Sequence, residues 1–174
     1  MPSRNDRYAG FFQSPRKDWS ELSVVEELVV SLEREGFDSL HNPQVFSPDP
    51  PDVICLGSGN LPVAVEVVEA VSQDAVALNA QGRKVTKWWD AAEFVTHVCG
   101  LVLAKDAKTF NGGPFQRKIV CVHTDEPVVM PDEVRVALAG IPPMRLTQIA
   151  AAYLLFSYDP GTKSYPVLRI LVAT

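Results

Sequence analysis

Two β-branched runs separated by a glycine-containing turn constrain this chain more than any other feature. Asp52-Val53-Ile54-Cys55-Leu56 reads as one strand, and Pro62 to Val71, rich in valine, reads as a second. Between them Gly57-Ser58-Gly59-Asn60 supplies turn residues, so the two runs are expected to fold back as a β-hairpin.

The flanking segments suggest what packs on that hairpin. Asp18-Trp19-Ser20-Glu21 suits a helix start, and Leu22, Val25, Leu28, Val29 and Leu32 recur at helical spacing up to Gly36, which predicts a first helix over about residues 19–35. Pro43, Pro48, Pro50 and Pro51 leave room for no more than a short edge strand before the hairpin. Residues 75–108 are mostly helical in pattern with a break at Gly82, and Asn111-Gly112-Gly113-Pro114 ends them. Arg117 to His123 is a short apolar strand suited to burial on both faces. Pro131 and Gly140 bracket a short helix. Two strands, about 150–158 and 165–173, close the chain around the turn Asp159-Pro160-Gly161-Thr162. This order implies an α/β domain over residues 18–174, a mixed β-sheet flanked by helices, after a flexible N-terminal tail, 1–17.

Composition narrows the setting. Cys55, Cys99 and Cys121 are odd in number and lie in apolar surroundings, which points to reduced packing residues and away from a disulfide framework. No apolar run approaches the length of a membrane span, and the first residues lack the apolar stretch of a secretory signal, so a cytoplasmic protein without a membrane partner is expected. The net charge of −5 is unevenly spread: residues 18–82 sum to −11 and residues 83–118 to +4. The basic middle suits a phosphate backbone, or is an ordinary solvated helix face. The acidic front could meet a basic protein partner.

Strand parity gives the hairpin a second property. With Ser58-Gly59-Asn60 as a three-residue loop, Gly57 faces Leu61, and equal steps outward put Asp52 opposite Glu66. Opposed residues project to one side with Cβ atoms roughly 5 Å apart, and like charges placed so repel. Glu66 also sits among Ala64, Val65, Val67 and Val68, where burial disfavours its charge. A divalent cation such as Mg2+ (or Mn2+), which takes carboxylate oxygens, relieves both costs. A loop one residue longer or shorter would instead turn the two acids to opposite faces.

Pro51-Asp52, followed by Val65-Glu66-Val67 with Glu66 fourteen residues after Asp52, resembles the PD-(D/E)XK nuclease superfamily, the restriction-endonuclease-like fold. The order helix, acid-bearing hairpin, helix, strand over about residues 19–124 is similar too. The resemblance implies a Mg-dependent nuclease hydrolysing DNA phosphodiester bonds, with Asp52, Glu66 and the backbone carbonyl of Val67 as metal ligands. It implies a lysine two residues after the Glu, and here that position is Val68. Some members supply this lysine from a neighbouring helix. Lys84 and Lys87, at helical i, i+3 spacing, are the candidates chosen for it, the plainer reading being two solvent-exposed helix lysines. Glu26 on the first helix resembles an acid many members carry there.

Trp88 and Trp89 follow Lys87; aromatic rings beside lysines stack on bases, although two adjacent tryptophans on a helix diverge and one belongs to the core. His41, His97 and His123 have no partner pattern and read as structural or surface residues. Because Val68 removes the family lysine, a second reading stands beside the nuclease: a catalytically silent module on the same fold that binds a protein or nucleic-acid partner in an inhibitor, immunity or assembly role.

Overall fold

The computed structural model describes residues 17–81, 86–126 and 129–173. The proposed tail, apart from Lys17, lies outside them, as do Gly82 and Lys84.

The strands form one six-stranded sheet in the order β1-β2-β3-β4-β5-β6. They are β1 (His41–Val45), β2 (Val53–Leu56), β3 (Pro62–Glu69), β4 (Arg117–Thr124), β5 (Ala151–Phe156) and β6 (Val167–Ile170). β3 runs parallel to β4 and β4 to β5; the outer pairings, β1 with β2, β2 with β3 and β5 with β6, are antiparallel. The sheet is therefore mixed. β1 is the edge strand tolerated by Pro43, and its register slips between His41 and Gln44.

Helices cover both faces. Helix α1 (Lys17–Glu35) lays Val25, Leu28 and Leu32 against the odd-numbered positions of the central strands, including Val63, Val65, Val67, Ile119 and Cys121. The opposite face carries the even-numbered Ala64, Val120, Val122, Ala152 and Leu154 under α3 (Ala91–Asp106) and α4 (Pro131–Ala139). Period-two alternation in β3 thus decides which helix each side chain meets: Val65 and Val67 go to α1, and Glu66 goes to the α3 side.

The segment read as mostly helical over 75–108 with a break at Gly82 holds two helices among the described residues. Helix α2 (Gln73–Ala80) ends early, residues 86–90 are not helical, and α3 starts at Asp90, whose carboxylate accepts from the N–H groups of Ala92 and Glu93. Lys87 and both tryptophans therefore precede a helix instead of lying on one. Trp88 is 79% exposed, while Trp89 packs on the α3 core beside Phe94 and His97. All three cysteines are free thiols. Among the described residues no helix is long and apolar enough to cross a membrane.

Candidate metal centre

The hairpin has the register that parity predicts. Val53 pairs with Val65, Ile54 with Ala64, Cys55 with Val63 and Leu56 with Pro62, and the Gly57 N–H donates to Leu61 O at 2.9 Å around the Ser58–Asn60 turn. Continued beyond β2, the same register sets Asp52 opposite Glu66 at the first step and Pro51 opposite Val67 at the second. Pro51 has no N–H to give. Asp52 takes over at this point: its Oδ2 accepts the Val67 N–H at 2.7 Å. In an extended strand one residue sends its N–H and C=O to the same side. The Val67 carbonyl thus faces the edge where Asp52 stands, and the proline opposite offers it no ladder donor.

Asp52 and Glu66 do converge, and a third acid joins them. Asp49, Asp52 and Glu66 each place a carboxylate oxygen within 4.8 Å of the other two. Glu66 is fully buried and Asp52 nearly so, whereas Asp49 is exposed. Glu66 Oε2 is buried with no hydrogen-bond partner, an arrangement that costs free energy unless something occupies it. Oxygens opposite one another on an octahedral Mg2+ stand roughly 4.2 Å apart, twice its oxygen distance. The three carboxylates and the orphaned oxygen are of the hard, oxygen-donor kind that could hold a divalent cation.

The lysine at this site comes from α3. Lys105 Nζ donates to Glu66 Oε1 at 2.5 Å, and Lys108 Nζ lies 3.6 Å from the same oxygen. Burial raises the Glu66 pKa above the ordinary glutamate range and the neighbouring Asp52 adds to this; the Lys105 hydrogen bond and the lysine charges work against it. Lys105 is held in place by the end of its helix. Asp106 accepts from the N–H groups of Thr147, Gln148 and Ile149 and from the Thr147 hydroxyl. Gln148 donates back to the carbonyls of Asp106 and Lys108.

The other candidates lie elsewhere. Lys87 pairs with Glu93 at 2.7 Å and sits over the Trp89 ring; the lysine on the acids is Lys105, so the choice of Lys87 is corrected. Lys84 lies outside the described residues. Glu26 belongs to α1, on the face of the sheet away from Glu66, and is not among the three converging acids.

Two residues escaped the sequence reading although signals for both exist. Lys105 follows Val98, Leu101 and Val102 at i+7, i+4 and i+3, so it continues the buried stripe of α3, where a lysine calls for a charged partner. Asp49 lies three residues before Asp52 in a proline-fixed loop. Comparison with protein-family models, curated proteins and solved structures gives no match to this chain.

Proposed function

We propose that this chain is a divergent PD-(D/E)XK-type nuclease with a restriction-endonuclease-like fold, a hydrolase that cleaves DNA phosphodiester bonds with Mg2+ or Mn2+. The observation that carries the reading is the meeting of Asp49, Asp52 and Glu66 with Lys105 on Glu66. The mixed sheet and the helix–hairpin–helix–strand order support it.

Asp52, Glu66 and Asp49 would hold the cation, with the Val67 carbonyl beside them. A divalent cation held here supplies a Lewis acid for a phosphoryl oxygen and a water acidified toward neutral pH. Lys105, on Glu66 Oε1, would take over the role of the lysine missing at Val68 in orienting the attacking water. Lys108, half-exposed at the rim, offers its charge to the phosphate.

One observation favours the silent module. Lys105 already neutralises Glu66 without a cation, so the ion pair could replace the metal in a domain that only binds DNA or a protein.

Titration of Mn2+ into the protein and its Asp52→Ala and Glu66→Gln variants separates the two readings, with nicking of plasmid and single-stranded DNA as the second readout. The nuclease reading expects one Mn2+ site lost in both variants, and cleavage lost with it. A protein that binds no Mn2+ leaves the module; one that binds Mn2+ and cuts no DNA loses the proposed substrate.

A further inference from the structure

The loop that delivers Asp49 has few means of holding its own shape. It is closed at its base by the Phe46 N–H donating to Asp52 O at 3.0 Å. Between those residues Pro48, Pro50 and Pro51 contribute no N–H groups. Its carbonyls are gripped from outside instead. The Asn111 N–H donates to Pro50 O at 2.7 Å, and Asn111 Nδ2 donates to Asp49 O at 3.0 Å and reaches Pro48 O at 3.5 Å.

The residue after Asn111 closes the grip. Gly112 has φ +70°, and a Cβ placed there would lie 2.8 Å from the tip of the Phe46 ring. Only glycine satisfies both the backbone conformation and that contact. Phe46 also packs edge-on against Phe115, 6.2 Å between ring centres. Residues 111–115 therefore hold the loop at Phe46 and across residues 48–50. The same stretch of chain follows directly on Lys105 and Lys108.

We infer that Asn111 is a positioning residue for the metal centre: by fixing the 48–50 backbone it presents the exposed Asp49 carboxylate to the Asp52–Glu66 pair and so sets cation affinity. This rests on the metal reading above. Glu66 lies on β3 and Asp52 directly precedes β2, whereas Asp49 lies in the loop before them. The clamp fixes where its backbone lies.

The test is Mn2+ titration of the full chain as wild type, Asn111→Ala, Asn111→Asp, Asp49→Ala and the Asp49→Ala/Asn111→Ala double variant, with melting curves to show that each folds. Asn111→Asp keeps the side-chain size and the backbone donor, replaces the amide donor with an acceptor and adds a negative charge, which by itself favours a cation and so works against the expected loss. Both Asn111 variants are expected to bind Mn2+ roughly 10- to 100-fold more weakly, the range for a residue that orients a ligand. The double variant is expected to bind no more weakly than Asp49→Ala alone. Pulsed electron resonance in isotope-labelled water is expected to count one more water on the Mn2+ in Asn111→Ala, in the place vacated by Asp49.

Wild-type affinity and hydration in both Asn111 variants would overturn the inference and leave the metal centre standing. Losses that add in the double variant would overturn it as well, since Asn111 would then not act through Asp49. A wild-type protein without Mn2+ affinity would remove the metal reading and this inference together.

Discussion

Lys105 Nζ and Glu66 Oε1 meet at 2.5 Å across 39 residues of chain, joining the last turn of α3 to the middle of β3. The ammonium group occupies one oxygen of the carboxylate that a cation would need. At pH 8, Lys105→Ala is expected to tighten Mn2+ binding several-fold while lowering DNA cleavage by at least about 100-fold, the usual scale for a positioned proton-handling group. Lys87→Ala is expected to leave both unchanged and to cost about 0.5 kcal/mol of stability, as an exposed ion pair does. Parallel titrations and nicking assays check this; a Lys87 variant that loses cleavage while the Lys105 variant keeps it would reverse the assignment.

Protons compete with the cation for Glu66. Its carboxyl is held above the ordinary range, first by burial and then by Asp52, against the pull of Lys105. Metal binding needs the ionised form. Affinity for Mn2+ is therefore expected to fall on acidification while pH is still above about 4.3, where an exposed glutamate titrates. Calorimetry at a series of pH values from 8 downward measures it, and an affinity that begins to fall only once pH is below about 4.3 would contradict the raised Glu66 carboxyl as the competing site.

A second carboxylate group, away from Asp49, Asp52 and Glu66, ties stability to pH. Burial, with Asp125 and then Glu126 nearby, raises the Glu69 pKa to about 7. The folded chain keeps this proton where the unfolded chain has released it, near pH 4.3. Its contribution is full below that pH and is lost as pH rises through about 7. Glu69→Gln is expected to be more stable than the wild type at pH 8 and close to it at pH 4 to 5. Urea unfolding at both ends tests this, and equal differences at the two pH values would count against it.

Asp106 has the opposite sign. Burial pushes its carboxyl up, but the Thr147, Gln148 and Ile149 N–H groups and the Thr147 hydroxyl outweigh it and hold the pKa below the usual aspartate value. Its stabilisation is present above the unfolded aspartate pKa of about 3.9 and disappears as pH falls through the folded value. Asp106→Ala strips the partner from three backbone donors and is expected to cost about 2–4 kcal/mol. The variant's stability is also expected to vary less with pH below 4 than the wild type's. Because Asp106 fixes the end of α3, the variant is expected to cut DNA more slowly through Lys105. Full cleavage at unchanged Mn2+ affinity would show that Lys105 needs no such anchoring.

The hairpin and its opposed acids were legible because their determinants are local. A side-chain period of two and a three-residue turn suffice to carry the register from Gly57–Leu61 out to Asp52–Glu66. The closing turn at Asp159 and the short helix Pro131–Ala139 were legible for the same reason. Over 75–108 the helical pattern and its interruption were legible too; the pattern did not show that α3 begins only at the Asp90 cap, which leaves Lys87, Trp88 and Trp89 ahead of it.

The sequence by itself placed Asp52 and Glu66 on one side of the hairpin, given a turn of three residues, and placed Val68 two residues after Glu66. Only the tertiary structure decided which lysine meets Glu66. Lys105 reaches Glu66 because α3 packs on the even-numbered face of the parallel strands and returns along them to the level of β3's middle. Asn111 then reaches the loop of Asp49. Sequence periodicity states which face of an element is buried; what that face meets is decided by sheet order and by the direction of the crossover, which no local pattern encodes.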